Sequence, residues 1–476
     1  VTGNIFWFRN DLRLADNPGL AAALSRGNTA LVYVLDDMAA GAWAPGGASR
    51  WWLHHALQAL AADITARGGR LLLRRGDAGK IIPELAAELQ AGAVHAGRSF
   101  EPWARTQDRA IDASLKSVNV EFRRHLSSRL FAPERITSKA GTAYGVYTPF
   151  SRACFEQAPP ADPIAAPERF SDASKAASDR LEDWQLLPTK PDWAGGLRET
   201  WEPGETGALK RLDRFLAHAL AEYDTARNIP GQDGTSGLSP HLHFGEISPG
   251  RIWHAAAGAK KTGSGLETFL KELLWREFAS YLLWHHPDMP EQPLRGEFAK
   301  FPWASDQKSL VAWQRGQTGI PIVDAGMRQL WQTGWMHNRI RMVCASFLIK
   351  HLLIPWQEGE AWFWDTLVDA DLASNAISWQ WVAGCGADAA PYFRIFNPVL
   401  QGLKFDPDGA YVRRYIPELG HLPDKFIHTP WEADADTLAV ARITLGKTYP
   451  RPIIGLAEGR DRALSAYKKI TGAGNG

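Results

Sequence analysis

The sequence predicts an α/β N-terminal domain built on a parallel, Rossmann-like sheet, joined by a long linker to an all-α C-terminal domain. Short apolar runs alternate with amphipathic stretches from residue 4 to about 125. A proline-rich stretch follows residue 128, and 3.6-residue periodicity dominates beyond residue 201.

In chain order, NIFWF opens as a buried strand. Asn17 followed by Pro18 marks a helix start, because a capping side chain precedes a residue whose missing N–H is an unpaired one anyway. ALVYVL, RLLLRR, AVHAG and VEFRRH read as further strands, and the helical stretches between them, the first being ASRWWLHHALQALAADI, act as crossovers that make the strands parallel. No GxGxxG follows the first strand, so dinucleotide binding there is unsupported. Pro159, Pro160, Pro163 and Pro167 mark a connector, which sets the expected boundaries at 1–127, 128–200 and 201–476. Helical periodicity is clearest over 208–222, 266–285, 323–353 and 359–368.

The composition, with 45% hydrophobic residues in 476, fits a soluble protein with large cores. No run approaches the roughly 20 apolar residues of a spanning helix, and the opening residues lack the pattern of a secretory signal, so the expected address is the cytoplasm with no membrane partner. Cys154, Cys344 and Cys385 stand far apart, which excludes a disulfide framework and a zinc or iron–sulfur site, and no metal is expected. The pairs His54 with His55 and His285 with His286 have no carboxylates at ligand spacing. Lys plus Arg number 53 against 52 acidic residues, so any polyanionic partner must be recognised locally. Tryptophan occurs 21 times, which raises stacking and electron relay as roles beside core packing.

Four stretches carry candidate chemistry. GTSGLSPHLHFGEISP, residues 234–249, places two glycines, Thr235, Ser236 and Ser239 before a helix, where they serve either as caps or as a pyrophosphate cradle; Tyr223 lies upstream. FLKELLWREFASYLLWHHP, residues 269–287, sets Glu272, Trp275 and Arg276 on one helical face, as a surface ion pair or as a stacking platform among charges. GWMHNRIRMVCASFLIKHLL, residues 334–353, gathers Asn338, Arg339, Arg341 and Met342, residue types that read base edges, hold phosphates and offer apolar surface. The last is DTLVDADLASNAISWQWVAGCGADAAPYFRIFNP, residues 365–398. Its Cys385 carries no assigned role.

Together with WFRNDLRL, TSGLSP, WREF, GWMHNRIRM and KFDPDGAYVRRYIPEL, this last stretch resembles the photolyase and cryptochrome family over almost the whole chain. The flavin domain is similar to class I cyclobutane pyrimidine dimer photolyases. The paired Trp51 and Trp52 before HHAL and the SNAISWQW variant are most similar to bacterial class III. The resemblance implies that Tyr223, Thr235, Ser236, Gly237, Leu238 and Ser239 hold the phosphates of FAD. It also implies that Asp369, Ala370 and Asp371 meet the ring and ribityl chain, with Arg341 pairing Asp369, and that Asn375 faces the flavin N5. Trp379, Trp356 and Trp303 match the family's electron relay. Glu272, Trp275, Asn338, Met342 and Trp381 would form the lesion pocket with Arg276 on the same substrate face, and Arg227, Arg339 and Arg394 would meet the DNA backbone.

The implied activity is blue-light-driven repair of cyclobutane pyrimidine dimers in DNA by reduced FAD (FADH−), with 5,10-methenyltetrahydrofolate as antenna stacked near Trp51 or Trp52, in a monomer. His337 followed by Asn338 replaces the His pair usual for (6-4) repair, and three cysteines cannot supply the four ligands of the iron–sulfur (6-4) branch. The alternative is a cryptochrome-type blue-light receptor that binds FAD without repair. Plant cryptochromes typically carry Asp where Asn375 stands.

Overall fold

The computed structural model describes residues 3–170, 176–260, 263–392 and 394–472. Strands β1 (Gly3–Phe8), β2 (Thr29–Leu35), β3 (Leu71–Arg75), β4 (Ala91–Gly97) and β5 (Glu121–His125) form a parallel sheet in the order β3-β2-β1-β4-β5, with Phe6 in register with Leu31 and His95. β1 is apolar at successive positions because both sheet faces are covered. Ile5 and Trp7 join Val32, Val34, Leu72 and Val94 in a core closed by Ile82 and Leu85 of the Ala78–Glu88 helix and by Ile111 and Leu115 of the Pro102–Ser117 helix. Each such side chain contributes about 1.5–3 kcal/mol by leaving water. The expected cap is present: Asn17 Oδ1 accepts from Leu20 N at 3.1 Å ahead of the Pro18–Leu24 helix.

The described chain packs as two compact units. The first takes residues up to Ala221 together with Ser236–Pro287 and Val368–Ala373, and the second takes Glu222–Thr235, Asp288–Leu367 and Ser374 onward. Part of the helical half thus packs in the unit that holds the sheet. The WFRNDLRL segment shows why. Arg13, 1% exposed, donates to the carbonyls of Ser127 at 2.9 Å and Gly245 at 2.9 Å, and Leu12 N donates to Phe244 O at 3.1 Å. A buried guanidinium spread over carbonyls satisfies backbone groups that a loop would otherwise leave unpaired.

The 128–200 stretch, expected to be a plain connector, carries the Tyr147–Phe155 helix. Tyr147, Phe150, Ser151 and Cys154 form its buried side. Phe150 lies 5.0 Å from Phe278 and 4.9 Å from Tyr281 on the Gly265–His285 helix. The periodic stretch 323–353 is likewise not one helix. Pro321–Thr333 ends at Gly334 with φ of 65°, a left-handed stop, and Asn338–Ser346 runs into a π-helical turn at Phe347–His351.

In the second unit the Trp356–Thr366 helix presents Gly359 to Trp379 of the Leu372–Ala383 helix. A Cβ on Gly359 would come 2.1 Å from Trp379 Cη2 and 2.7 Å from Leu348 Cδ2, so the indole seats only because that position has no side chain. Gly359→Ala is expected to lower stability by about 1–3 kcal/mol through overpacking, read as a drop in thermal midpoint with a changed near-ultraviolet tryptophan signal.

Candidate functional site

The first unit contributes an acid-rich cradle. Gly237, with φ of 61°, turns the chain ahead of the Ser239–His243 helix, and Ser239 Oγ donates to Asp369 Oδ2 at 2.6 Å. Asp371 is held by Arg129, whose Nη2 donates to Asp371 Oδ2 at 3.0 Å, with side-chain exposures of 5% and 11% for Arg129 and Asp371. Arg129 in turn donates through Nε to Ser280 Oγ at 2.5 Å and through Nη1 to Ser128 O at 3.0 Å, so its plane is fixed on three sides. Burial pushes the His243 imidazole down to about 4 against the pull of Asp371 and Asp369, which leaves it neutral at neutral pH.

Arg276 does not have the substrate-facing role expected of it. Its Nη1 donates to Ser128 O at 2.7 Å and its Nη2 to Leu242 O at 2.9 Å, and burial together with Arg129 pushes it down to about 9. It is a structural cation, bound to carbonyls on the inward side of the helix. Trp275 is a platform with a second layer: Tyr147 stacks beneath it at 3.7 Å and 6°, anchored by Tyr147 Oη donating to Lys271 O at 2.6 Å. One indole face is thereby covered, and Phe278 meets the same ring edge-on at 5.8 Å. Glu272 precedes Trp275 by three residues on the same helix and is partly exposed.

Trp51 and Trp52, expected as an antenna stacking surface, are 1% and 0% exposed. Trp52 lies parallel to Phe244 at 6.0 Å, edge-on to Trp201 and His241, and its Nε1 donates to Glu246 Oε1 at 3.0 Å. These indoles are core, because an amphipathic stretch so rich in Trp has no other way to remove that much apolar area from water.

The second unit holds the cationic side. The Arg227 guanidinium sits 5.4 Å from the ring of buried Tyr223. Arg339 donates to Asn228 Oδ1 at 2.5 Å and lies 4.4 Å over Phe405. Its pKa is pushed down by burial and by the like charges of Arg227 and Arg394, which places both within electrostatic reach of Arg339. Arg394 and Asn338 are exposed, whereas Met342 and Trp381 are partly buried. His337 caps the Asn338–Ser346 helix by accepting from Arg339 N at 3.2 Å. Burial and Arg339 hold it down to about 4. Arg341 Nε donates to Met336 O at 2.7 Å.

Asn375 is buried, and its Nδ2 donates to Glu360 O at 3.0 Å, which orients the amide. Glu360 is 1% exposed, and burial together with Glu291 raises its pKa above the ordinary carboxylate range. Trp379 and Trp356 are buried, and Trp303 is partly exposed. Trp379 packs edge-on to Phe363 at 5.0 Å and to Trp313 at 6.2 Å. Thr235 lies in this unit, and Ser236, Gly237, Leu238, Asp369 and Ala370 lie in the first.

Three contributors escaped the reading of the sequence. Arg129 follows the last strand without a motif of its own. Tyr147 was hidden in a stretch judged by its prolines, although Tyr147, Phe150 and Cys154 carried a helical signal. Trp313 stands outside every recognised motif.

Arg129→Leu leaves Asp371 buried without its cation and is expected to cost about 3–5 kcal/mol. Adding Asp371→Asn should recover part of that loss, and thermal or urea melts of the single and double variants measure the coupling.

Residues 4–168 match the model described as DNA photolyase, and residues 269–469 match the FAD binding domain of DNA photolyase. The chain is 50% identical over 474 residues to the deoxyribodipyrimidine photo-lyase of Agrobacterium fabrum, with 98% of each covered. It is 36% identical to cryptochrome-1 of Arabidopsis thaliana, covering 98% of this chain and 70% of that protein. The crystal structure of a bacterial class III photolyase from Agrobacterium tumefaciens superposes with a TM-score of 0.96 at 49% identity, covering 99% of this chain and 98% of that one. A parallel five-stranded sheet, an acid-rich cradle after TSGLSP and a clustered set of arginines beside Asn338 agree with those matches, and the chain belongs to the photolyase and cryptochrome family.

Proposed function

We propose that this protein is a class III-type deoxyribodipyrimidine photo-lyase that repairs cyclobutane pyrimidine dimers in DNA under blue light. The observation that carries the reading is Arg339, lowered by the like charges of Arg227 and Arg394 and next in sequence to an exposed Asn338. Like charges are held together at a cost in stability when they await a polyanion.

The residues fit FAD. Hydroxyls and backbone amides of Thr235, Ser236, Gly237, Leu238 and Ser239 suit a diphosphate, and Tyr223 adds an aromatic hydroxyl. Asp369 and Asp371, fixed by Ser239 and Arg129, present acceptors for the N–H and O–H groups of the ring and ribityl chain. Bound as FADH−, the cofactor supplies one electron on excitation, which splits the cyclobutane ring and then returns.

The protein's part is positioning. A dimer inside a duplex must be flipped out, and its weakened pairing limits that cost to a few kcal/mol. Trp275, stiffened by Tyr147, is the candidate in the first unit to receive the extruded bases, and Met342 and Trp381 are the apolar candidates in the second. Glu272 hydrogen-bonds a thymine carbonyl and stabilises the charge that develops there, and Asn338 reads the base edge. Asn375 is a neutral amide where a carboxyl group would bring both a charge and an acidic proton. Trp379, Trp356 and Trp303, graded from buried to partly exposed, relay electrons inward to keep the cofactor reduced. The antenna is 5,10-methenyltetrahydrofolate, on the strength of the class III resemblance, at a surface other than Trp51 and Trp52. No helix among the described residues is long and apolar enough to cross a membrane. We place the protein in the cytoplasm as a monomer.

The reading is checked by dimer loss under blue light with reductant, in double-stranded DNA. Glu272→Ala should lower repair yield several-fold and keep the flavin spectrum. Trp379→Phe should slow photoreduction and leave repair by pre-reduced enzyme largely intact. A bound flavin with no loss of dimers would establish the receptor reading in its place. Affinity for dimer-bearing duplex should fall with salt at a slope near −3 in log–log form if three arginines each neutralise a phosphate, about −0.9 apiece, and charge-removing variants at these positions should each flatten it.

A further inference from the structure

Lys350, in the π-helical turn, has chemistry that the repair reading leaves unused. It is 1% exposed, and its Nζ donates to the carbonyl of Arg394 at 3.1 Å and lies 5.1 Å over the Tyr392 ring. Tyr392 is itself fully buried, stacked on Tyr467 at 4.7 Å and 15° and packed 5.3 Å from Phe301. The same stretch of chain gives a second anchor, since Ser346 Oγ accepts from Phe396 N at 3.4 Å. The segment carrying Arg394 is therefore tied at its backbone to the helix that begins at Asn338, while the Arg394 side chain stays exposed.

An ammonium in this position is expensive. Burial and the like charge of Arg394 push it down to about 7, and the groups it meets in the structure are a carbonyl and a π face rather than a carboxylate. A methionine of similar length would fill the same volume without the desolvation cost, so packing does not explain the lysine. What a lysine adds is a donor for one main-chain oxygen. The π turn supplies the placement, because its backbone bond from Leu352 N to Phe347 O, at 3.1 Å, admits an extra residue per turn and changes which side chains face inward.

We propose that Lys350 is a positioning residue for DNA binding: its buried ammonium holds the Arg394 carbonyl and so sets the Arg394 guanidinium against a backbone phosphate. The proposal rests on the DNA-backbone role given to Arg394 above. It concerns the order of the segment before DNA arrives, so that binding does not first have to freeze it.

The test is a double-mutant cycle on the flavin-loaded enzyme, with Lys350→Met, Arg394→Ala and the pair. Each is titrated in the dark with a duplex oligonucleotide carrying one thymine dimer, at several salt concentrations. Lys350→Met should weaken binding by on the order of fivefold and flatten the salt slope by about one, as Arg394→Ala does, and the pair should be no worse than Arg394→Ala alone. Lys350→Gln, which keeps a donor without the charge, should fall between wild type and Lys350→Met, and it decides the same cycle if Lys350→Met does not keep its flavin. Unchanged affinity in both Lys350 variants, or a loss that adds in full to that of Arg394→Ala, overturns the proposal while leaving the repair reading in place. Unchanged affinity in Arg394→Ala overturns the assigned role of Arg394, and this proposal with it.

Discussion

The buried pair of Arg129 and Asp371, 3.0 Å apart, is the constraint on which the flavin-facing side of the first unit depends. A carboxylate with 11% side-chain exposure cannot stay ionised without a cation or several donors, and the cation has to be rigid enough that the acid keeps one orientation. Arg129 is made rigid by Ser280 and the Ser128 carbonyl. That carbonyl also accepts from Arg276, so two guanidinium groups share one backbone oxygen and lie close enough for each to oppose the other's charge. The stretch that follows β5 therefore orders the site, although it resembles a linker in composition.

The same logic explains why the aromatic side chains come in pairs. Trp275 alone on a helix would rotate about its side-chain torsions. With Tyr147 stacked beneath it and Tyr147 tied to Lys271, the platform has a fixed tilt before any base arrives. Trp379 is held by the opposite device, the missing side chain of Gly359. In each case an indole is positioned by a neighbouring residue, and its ordering entropy is met during folding.

These supporting residues mark the limit of what the sequence made legible. The parallel sheet could be read because its period is short and its faces are both apolar, and the family could be read because its motifs are dense and fall in order. Arg129, Tyr147 and Trp313 could not, since their partners lie far off in sequence and nothing local distinguishes them from ordinary loop or core residues. Arg276 was misassigned for a related reason. Helical spacing shows which residues share a face, but only the neighbouring carbonyls of Ser128 and Leu242 show that its guanidinium turns inward. Trp51 and Trp52 failed similarly: an indole looks the same in sequence whether it faces a ligand or Phe244.

A common electrostatic pattern connects these details to the chemistry. His243 and His337 are each held down to about 4, so both are neutral near pH 7, and burial raises Glu360 above the ordinary carboxylate range. Beside Glu360 the amide of Asn375 has no proton to give in this range. Of the three arginines in the second unit, Arg394 is exposed, and Arg339, partly buried, is lowered by the like charges of Arg227 and Arg394. Burial is the first cause of the shift at His243, His337 and Glu360 alike, and at both imidazoles it outweighs the charges nearby.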